Sequence, residues 1–154
     1  MKIVQPYQLS IPQKEQLLAL WNQEYPVDIN HEGLAALEQY LSGLNDVEHC
    51  LLMEGDQIEG WYFDFIREGE RWFAIILSKH VQGRGYGCKL LDRAKASRST
   101  LNGWVIDRST YIKKDRTPYL SPINFYLKQG FSIVPNKVLE SPQIVAVKIR
   151  WSRG

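Results

Sequence analysis

The residues Gln82-Gly-Arg-Gly-Tyr-Gly87 carry the most suggestive chemistry in the chain. Glycines let the backbone turn where other residues clash. A turn that opens a helix leaves backbone N–H groups free at the positive end of the helix dipole, which suits a phosphate. Arg84 adds a cation beside those donors. The G-x-G-x-G spacing is not the dinucleotide fingerprint G-x-G-x-x-G. Nor is it a P-loop, which needs four residues between its glycines and then Gly-Lys-Ser/Thr. A plain strand–helix connection is the alternative. The apolar strand just before the turn and the helix just after it favour phosphate binding.

The surrounding elements must position that turn. Trp72-Phe-Ala-Ile-Ile-Leu77 is apolar throughout, as in a central strand covered on both faces. The helix after Gly87 turns Leu90, Leu91, Ala94 and Leu101 inward and is expected to end at Asn102-Gly103. Trp104-Val-Ile-Asp107 follows as a short strand, completing a right-handed parallel βαβ unit.

Upstream, Ile3 to Leu9 reads as an edge strand interrupted by Pro6. Ser10 and Gln13 resemble a capping box, and a helix runs to about Tyr25 with Leu17, Trp21 and Tyr25 on one face. Asn30 can cap a second helix with Leu34, Leu37, Leu41 and Leu44 as its stripe. Val47 to Met53 and Gln57 to Arg67 form a hairpin around Gly55-Asp56. In its second strand Trp61, Phe63 and Phe65 share one face, and Tyr62, Asp64 and Ile66 the other.

Downstream, Arg108 to Tyr119 is a polar loop. Ser121-Pro122 opens a short helix carrying Asn124, Phe125 and Tyr126, and Gly130 stops it. Phe131–Val134 and Ile144–Trp151 are the last strands. A meander passing into a parallel crossover predicts a mixed α/β (α+β) sheet with helices on both faces.

A length of 154 residues fits one domain spanning 1–154. The net charge of +2 is too small to imply nucleic acid or a membrane surface as partner. Cys50 and Cys88 show no zinc spacing, so no metal is expected. No apolar run reaches membrane-spanning length, and the first residues lack a signal-peptide h-region. These features predict a reduced, cytoplasmic protein.

Gln82-Gly-Arg-Gly-Tyr-Gly87 resembles the Q/R-x-x-G-x-G/A signature of the GCN5-related N-acetyltransferases, the GNAT superfamily. The Leu90-Leu91 pair, Phe125-Tyr126 and Gly130-Phe131 resemble that family's pattern at its usual separations, and the element order does too. The resemblance implies a mostly antiparallel twisted sheet with one splayed parallel strand pair. It implies acetyl-CoA as acyl donor and an amine as acceptor.

Carried over residue by residue, it assigns the pyrophosphate to the backbone from Gln82 through Gly83, Arg84, Gly85 and Tyr86 to Gly87. Leu77 and Ser78 would pair with the pantetheine arm, and an N–H near Leu77 would polarise the thioester carbonyl. Tyr126 would protonate the departing thiolate, which a phenol can do at neutral pH. Its other reading is a core aromatic beside Phe125. Tyr119 stands where the family often has an asparagine, and Ser121 takes the start of the helix instead. Homodimers are common in the family.

The resemblance names no base here, because the 71–77 strand has no acid. Asp107, at the end of the strand beside the gap, is one candidate. Asp64, mid-strand among aromatics where desolvation favours taking up a proton, is the other. A water chain is equally open. Cys88 is read as packing, not as a nucleophile. The loop 108–119, with Trp21, Tyr25 and Trp61, is expected to line the acceptor pocket. The missing acid leaves a non-catalytic acyl-CoA sensor as an alternative, and the basic loop leaves nucleic-acid binding as a third.

Overall fold

In a computed structural model, which describes residues 1–154, the strands pair into one sheet. They are β1 (Lys2–Val4), β2 (Asn45–Glu54), β3 (Gln57–Arg67), β4 (Glu70–Leu77), β5 (Thr100–Val105), β6 (Ser132–Glu140) and β7 (Val145–Ser152). Their order is β1-β2-β3-β4-β5-β7-β6, and all neighbours are antiparallel except β4 and β5. The expected mixed sheet with one parallel pair is therefore present, and β4 is its central strand.

Helices α1 (Ile11–Glu24) and α2 (Leu34–Ser42) cover one face, and α3 (Tyr86–Ser97) and α4 (Ile123–Lys128) the other. Side-chain alternation along the strands feeds the two cores. Trp61, Phe63, Phe65, Trp72 and Ile76 pack with Leu17, Leu20 and Trp21. Tyr62, Phe73, Leu101 and Val105 pack with Leu90, Leu91 and Tyr126. Trp61 and Phe63 are fully buried, which stabilises the fold by about 1.5–3 kcal/mol for a side chain of this kind. At the start of α1 the capping box forms as read: Gln13 N–H donates to Ser10 Oγ at 3.2 Å, and Ser10 N–H to Gln13 Oε1 at 2.8 Å.

Several boundaries differ from expectation: β6 runs on through Pro135 to Glu140 instead of ending at Val134, and β5 ends at Val105, short of Asp107. The helix α3 stops at Ser97, and Leu101, Asn102 and Gly103 belong to β5, opposite Trp151, Arg150 and Ile149. Arg98 takes an extended backbone while its guanidinium is held by Asp64 and Glu48, so the chain leaves the helix there. Asn30 closes a single 3-10 turn (Val27–Ile29) instead of capping α2. Its side chain donates to the Asn22 carbonyl, and Gly33 leads into α2. β1 ends at Val4, before the Pro6 ring removes a donor.

The parallel pair is what positions a site. β4 and β5 share a single register pair, Trp72 with Asn102, where Asn102 Nδ2 donates to the Arg71 carbonyl. Beyond it the strands diverge. Trp72 and Trp104 stack at 5.3 Å on one face. On the other face the Phe73 ring lies where a Cβ on Gly103 would come within 3.0 Å. Aromatic rings on both sides thus fill the space at the point where the strands part.

Candidate active site

Strand register fixes what β4 offers to the gap. Ser78 N–H donates to the Glu59 carbonyl at 2.9 Å, so Ser78 and Glu59 form a hydrogen-bonded antiparallel pair. By alternation, the polar backbone groups of Ile75 and Leu77 point away from β3, toward β5. The Leu77 carbonyl accepts from Gln82 Nε2 at 2.9 Å. No β5 register partner reaches Ile75 or Leu77.

The glycine turn lies at the end of this gap. Gly83 and Gly85 have φ of +76° and +85°, conformations that L side chains rarely adopt. Gln82 N–H is used by the Lys79 carbonyl and Lys89 N–H by the Gly85 carbonyl, while the amides from Gly83 through Cys88 donate to no group in the chain. The free run therefore starts one residue later than expected and extends to Cys88. Arg84 is exposed there without an acidic partner. Gly87 is pressed against Phe125, where a Cβ would come within 3.0 Å.

A cleft of about 880 Å³ joins the turn to the splay and continues onto the opposite face of the sheet. On the α3/α4 side it is lined by Leu77, Gln82, Gly85, Gly87, Phe125 and Tyr126. On the α1/α2 side Trp21, Tyr25, Tyr40, Phe65, Trp72 and Trp104 line it. Ile75 and Leu77, though in a central strand, keep surface exposed to this opening.

Tyr126 is buried on α4 against Phe73, Phe125 and Phe131, with ring centroids 5.7, 5.2 and 5.6 Å away. Burial, and then the neighbouring Tyr119, holds its phenol well above the usual range. Tyr119 is pushed up to about 12 by burial. Tyr25 is raised as well, by burial first and then by Tyr119, Tyr126 and Tyr40. These phenols stay protonated across the ordinary pH range.

The remaining expected site residues sit as follows. Ser78 does not line the cleft, because its hydroxyl donates to Glu59 Oε2 at 2.6 Å. Tyr86 is half-buried with Lys89 5.2 Å from its ring centroid. Ser121 Oγ donates to the Ile106 carbonyl at 2.5 Å and accepts from Ile123 N–H at 3.3 Å, tethering α4 without entering the cleft.

Neither candidate base faces the cleft. Asp64 Oδ1 accepts from Arg71 and Arg98 at 3.3 and 2.9 Å; Oδ2 accepts from Tyr62 and Arg98 at 2.6 and 3.0 Å. Two guanidiniums and a phenol occupy it, so it is the centre of a buried ion network outside the cleft. Asp107 is exposed and pairs with Arg108 at 3.0 Å. Trp61 is likewise withdrawn from the expected acceptor pocket: its Nε1 donates to His49 Nδ1 at 3.0 Å in the core.

Sequence reading missed Glu24, the only carboxylate that lines the cleft. It accepts from Lys79 N–H at 3.0 Å and from Lys113 Nζ at 3.4 Å. A signal was present: an acid in the last turn of a helix opposes the dipole and asks for a partner. Lys113 brings the 108–119 loop with it. Val27 N–H donates to the Ile112 carbonyl at 2.9 Å and Val145 N–H to Tyr111 Oη at 2.9 Å, so adjacent residues of the loop are tied to the segment after α1 and to β7. Cys88 lines the cleft, and its Sγ donates to Gln129 Oε1 at 3.1 Å.

No protein-family profile matches the chain, and no curated protein sequence does. Solved structures do match. An aminoglycoside 6'-N-acetyltransferase complexed with coenzyme A superposes with a TM-score of 0.74 at 16% identity, over 99% of this chain and 97% of that one. AAC(6')-Ib in complex with ribostamycin and coenzyme A gives 0.67 at 15% identity, over 99% and 94%. An acyl-CoA N-acyltransferase from Pseudomonas aeruginosa gives 0.65 at 16% identity, over 97% of each chain. The chain has the acyl-CoA N-acyltransferase fold, that of the GNAT superfamily.

Proposed function

We propose that this chain, with its acyl-CoA N-acyltransferase fold, is an N-acetyltransferase that passes an acetyl group from acetyl-CoA to a primary amine by direct attack in a ternary complex. The observation that carries this reading is the single cleft through the splayed strands, with free amides at one end and an aromatic chamber at the other. The coenzyme A in two of the matching structures supports the donor.

In this reading the amides from Gly83 to Cys88, with Arg84, hold the pyrophosphate at the start of α3. The inward backbone of Ile75 and Leu77 pairs with the pantetheine arm, and an N–H there polarises the thioester carbonyl. The amine lone pair attacks that carbon from the α1/α2 side, and the C–S bond breaks. Tyr126 gives its proton to the sulfur. Its burial makes the phenol a weaker acid, but the same apolar walls raise the proton affinity of the leaving thiolate. The amine's proton leaves to Glu24, directly or through water.

Acetyl-CoA with an amine panel should release free thiol only when an accepted amine is present. Amine-independent release, or none with any amine, contradicts the proposal. The second reading, a non-catalytic acyl-CoA sensor, is favoured by one observation. Glu24 is already engaged by Lys113 and by the Lys79 amide. Tight acetyl-CoA binding without thiol release across the panel would select it.

A further inference from the structure

The acceptor half of the cleft has a chemical character of its own. Its walls are Trp21, Tyr25, Tyr40, Phe65, Trp72 and Trp104. Its one carboxylate, Glu24, is engaged by Lys113 and the Lys79 amide. The cations around this half are also spoken for. Lys148 binds Glu70 at 2.8 Å and lies 4.9 Å from the Trp72 ring centroid, covering a face that an ammonium ligand would otherwise use. Arg150 binds Glu70 at 2.8 Å.

Arg67 is the exception. It lines the cleft, is exposed and has no carboxylate partner. Two residues beyond Phe65 on β3, its side chain leaves the same face of the sheet. Its guanidinium carbon stands 4.9 Å from the Phe65 ring centroid, at the floor of the aromatic chamber. A free guanidinium over an aromatic floor is suited to a planar anion on an apolar body.

Resting on the acetyltransferase reading, we propose that the acceptor is an elongated, apolar primary amine bearing a carboxylate at the end remote from the amine. Its body lies among Trp21, Tyr40, Phe65 and Trp104, and its carboxylate meets Arg67. A polycation is the wrong shape of charge for this chamber: it would find no free carboxylate and one uncompensated guanidinium. The apolar walls also favour the neutral amine that attack requires.

The strand register sets the length. Arg67 is opposite Glu70, five residues along β4 from Ile75, or about 16 Å at ~3.3 Å per residue. An arginine turned back over Phe65 covers only part of that span. Amine and carboxylate must therefore be separated by a body of about the size of a ring, which excludes a free α-amino acid as the best fit.

The test compares three amines as acceptors: 4-(2-aminoethyl)benzoate, 2-phenylethylamine, which lacks the carboxylate, and ribostamycin. The wild-type kcat/KM should favour the benzoate over phenylethylamine by on the order of tenfold or more. Arg67→Ala should bring that ratio toward one, chiefly through the KM for the benzoate, and Arg67→Glu should invert it. Equal use of the two amines by the wild type, or preference for ribostamycin, overturns the proposal. A second arm separates this outcome from a failure of the catalytic reading. Calorimetry of 4-ethylbenzoate, which cannot be acetylated, is run on protein saturated with coenzyme A. Binding lost in Arg67→Ala supports the anion subsite even if no amine is ever acetylated; no binding to the wild type, together with no turnover, overturns it. Arg67 is exposed at a strand end, and a melting temperature for each variant checks that it folds.

Discussion

The two sides of β4 are built by different means. On the α3/α4 side the cleft is made largely of backbone: amides from Gly83 to Cys88, and the inward groups of Ile75 and Leu77. On the α1/α2 side it is made of side chains brought from α1, α2, β3, β4, β5 and the 108–119 loop. Under the proposed function, a backbone site would bind a feature that every acyl-CoA shares. A side-chain site decides which partner is accepted. Changes on one side should therefore move donor binding, and changes on the other should move acceptor KM, with little crossover.

The largest expected effect comes at the junction between the two. Tyr126→Phe should lower kcat by on the order of 100-fold or more, the range of general-acid catalysis, while acetyl-CoA Kd shifts less than twofold. Parallel losses would make Tyr126 a core aromatic instead. The raised phenol also predicts no descending limb in kcat from this residue below about pH 10.

Asp64→Asn comes next and tests a residue that belongs to neither side. Leaving Arg71 and Arg98 without their shared carboxylate should cost about 3 kcal/mol of stability or more, read by chemical denaturation. The kcat of the folded variant should hold. A large kcat loss at full stability would restore Asp64 as a base.

Gly85→Val probes the backbone side. The φ of +85° at Gly85 strains a side chain by about 1–2 kcal/mol, so acetyl-CoA Kd should weaken roughly tenfold. Acceptor KM, measured at saturating acetyl-CoA, should stay within twofold. Trp104→Ala should do the reverse, raising acceptor KM several-fold with donor Kd unchanged. Equal movement of both constants in either variant would break the division between the sides.

The smallest effect at neutral pH is in stability alone. His49 is held neutral by burial, down to about 4, while it accepts from Trp61. Below about pH 6.5 the unfolded chain binds a proton that the folded chain refuses. Stability should thus fall between about pH 6.5 and 4 by up to about 3 kcal/mol and then level off for this group. His49→Gln, which keeps an acceptor for Trp61, should flatten that portion of the profile.

The same difference in construction explains what could be read in the sequence. The proposed donor side lies in one contiguous motif, and its strand, turn and helix follow from local rules. β3 was also legible, because Trp61, Phe63 and Phe65 alternate cleanly against Tyr62 and Asp64. The α3–β5 boundary was not. Leu101 follows Ala94 by seven residues and so continues a helical stripe, but it is buried as a strand residue after Arg98 turns the chain. The candidate bases lie outside the cleft for a tertiary reason. Asp64 meets Arg98 from the end of α3, and nothing local announces that encounter. Glu24 and Arg67 become notable only when the partners of every other nearby charge are known.

Direct transfer in a ternary complex is tested by a two-substrate initial-rate study with acetyl-CoA and an accepted amine. Both halves of the cleft filled together predicts intersecting double-reciprocal lines. Parallel lines would contradict direct transfer, because they report an acyl-enzyme, and Cys88, in the cleft beside Gln129, would then be its first suspect.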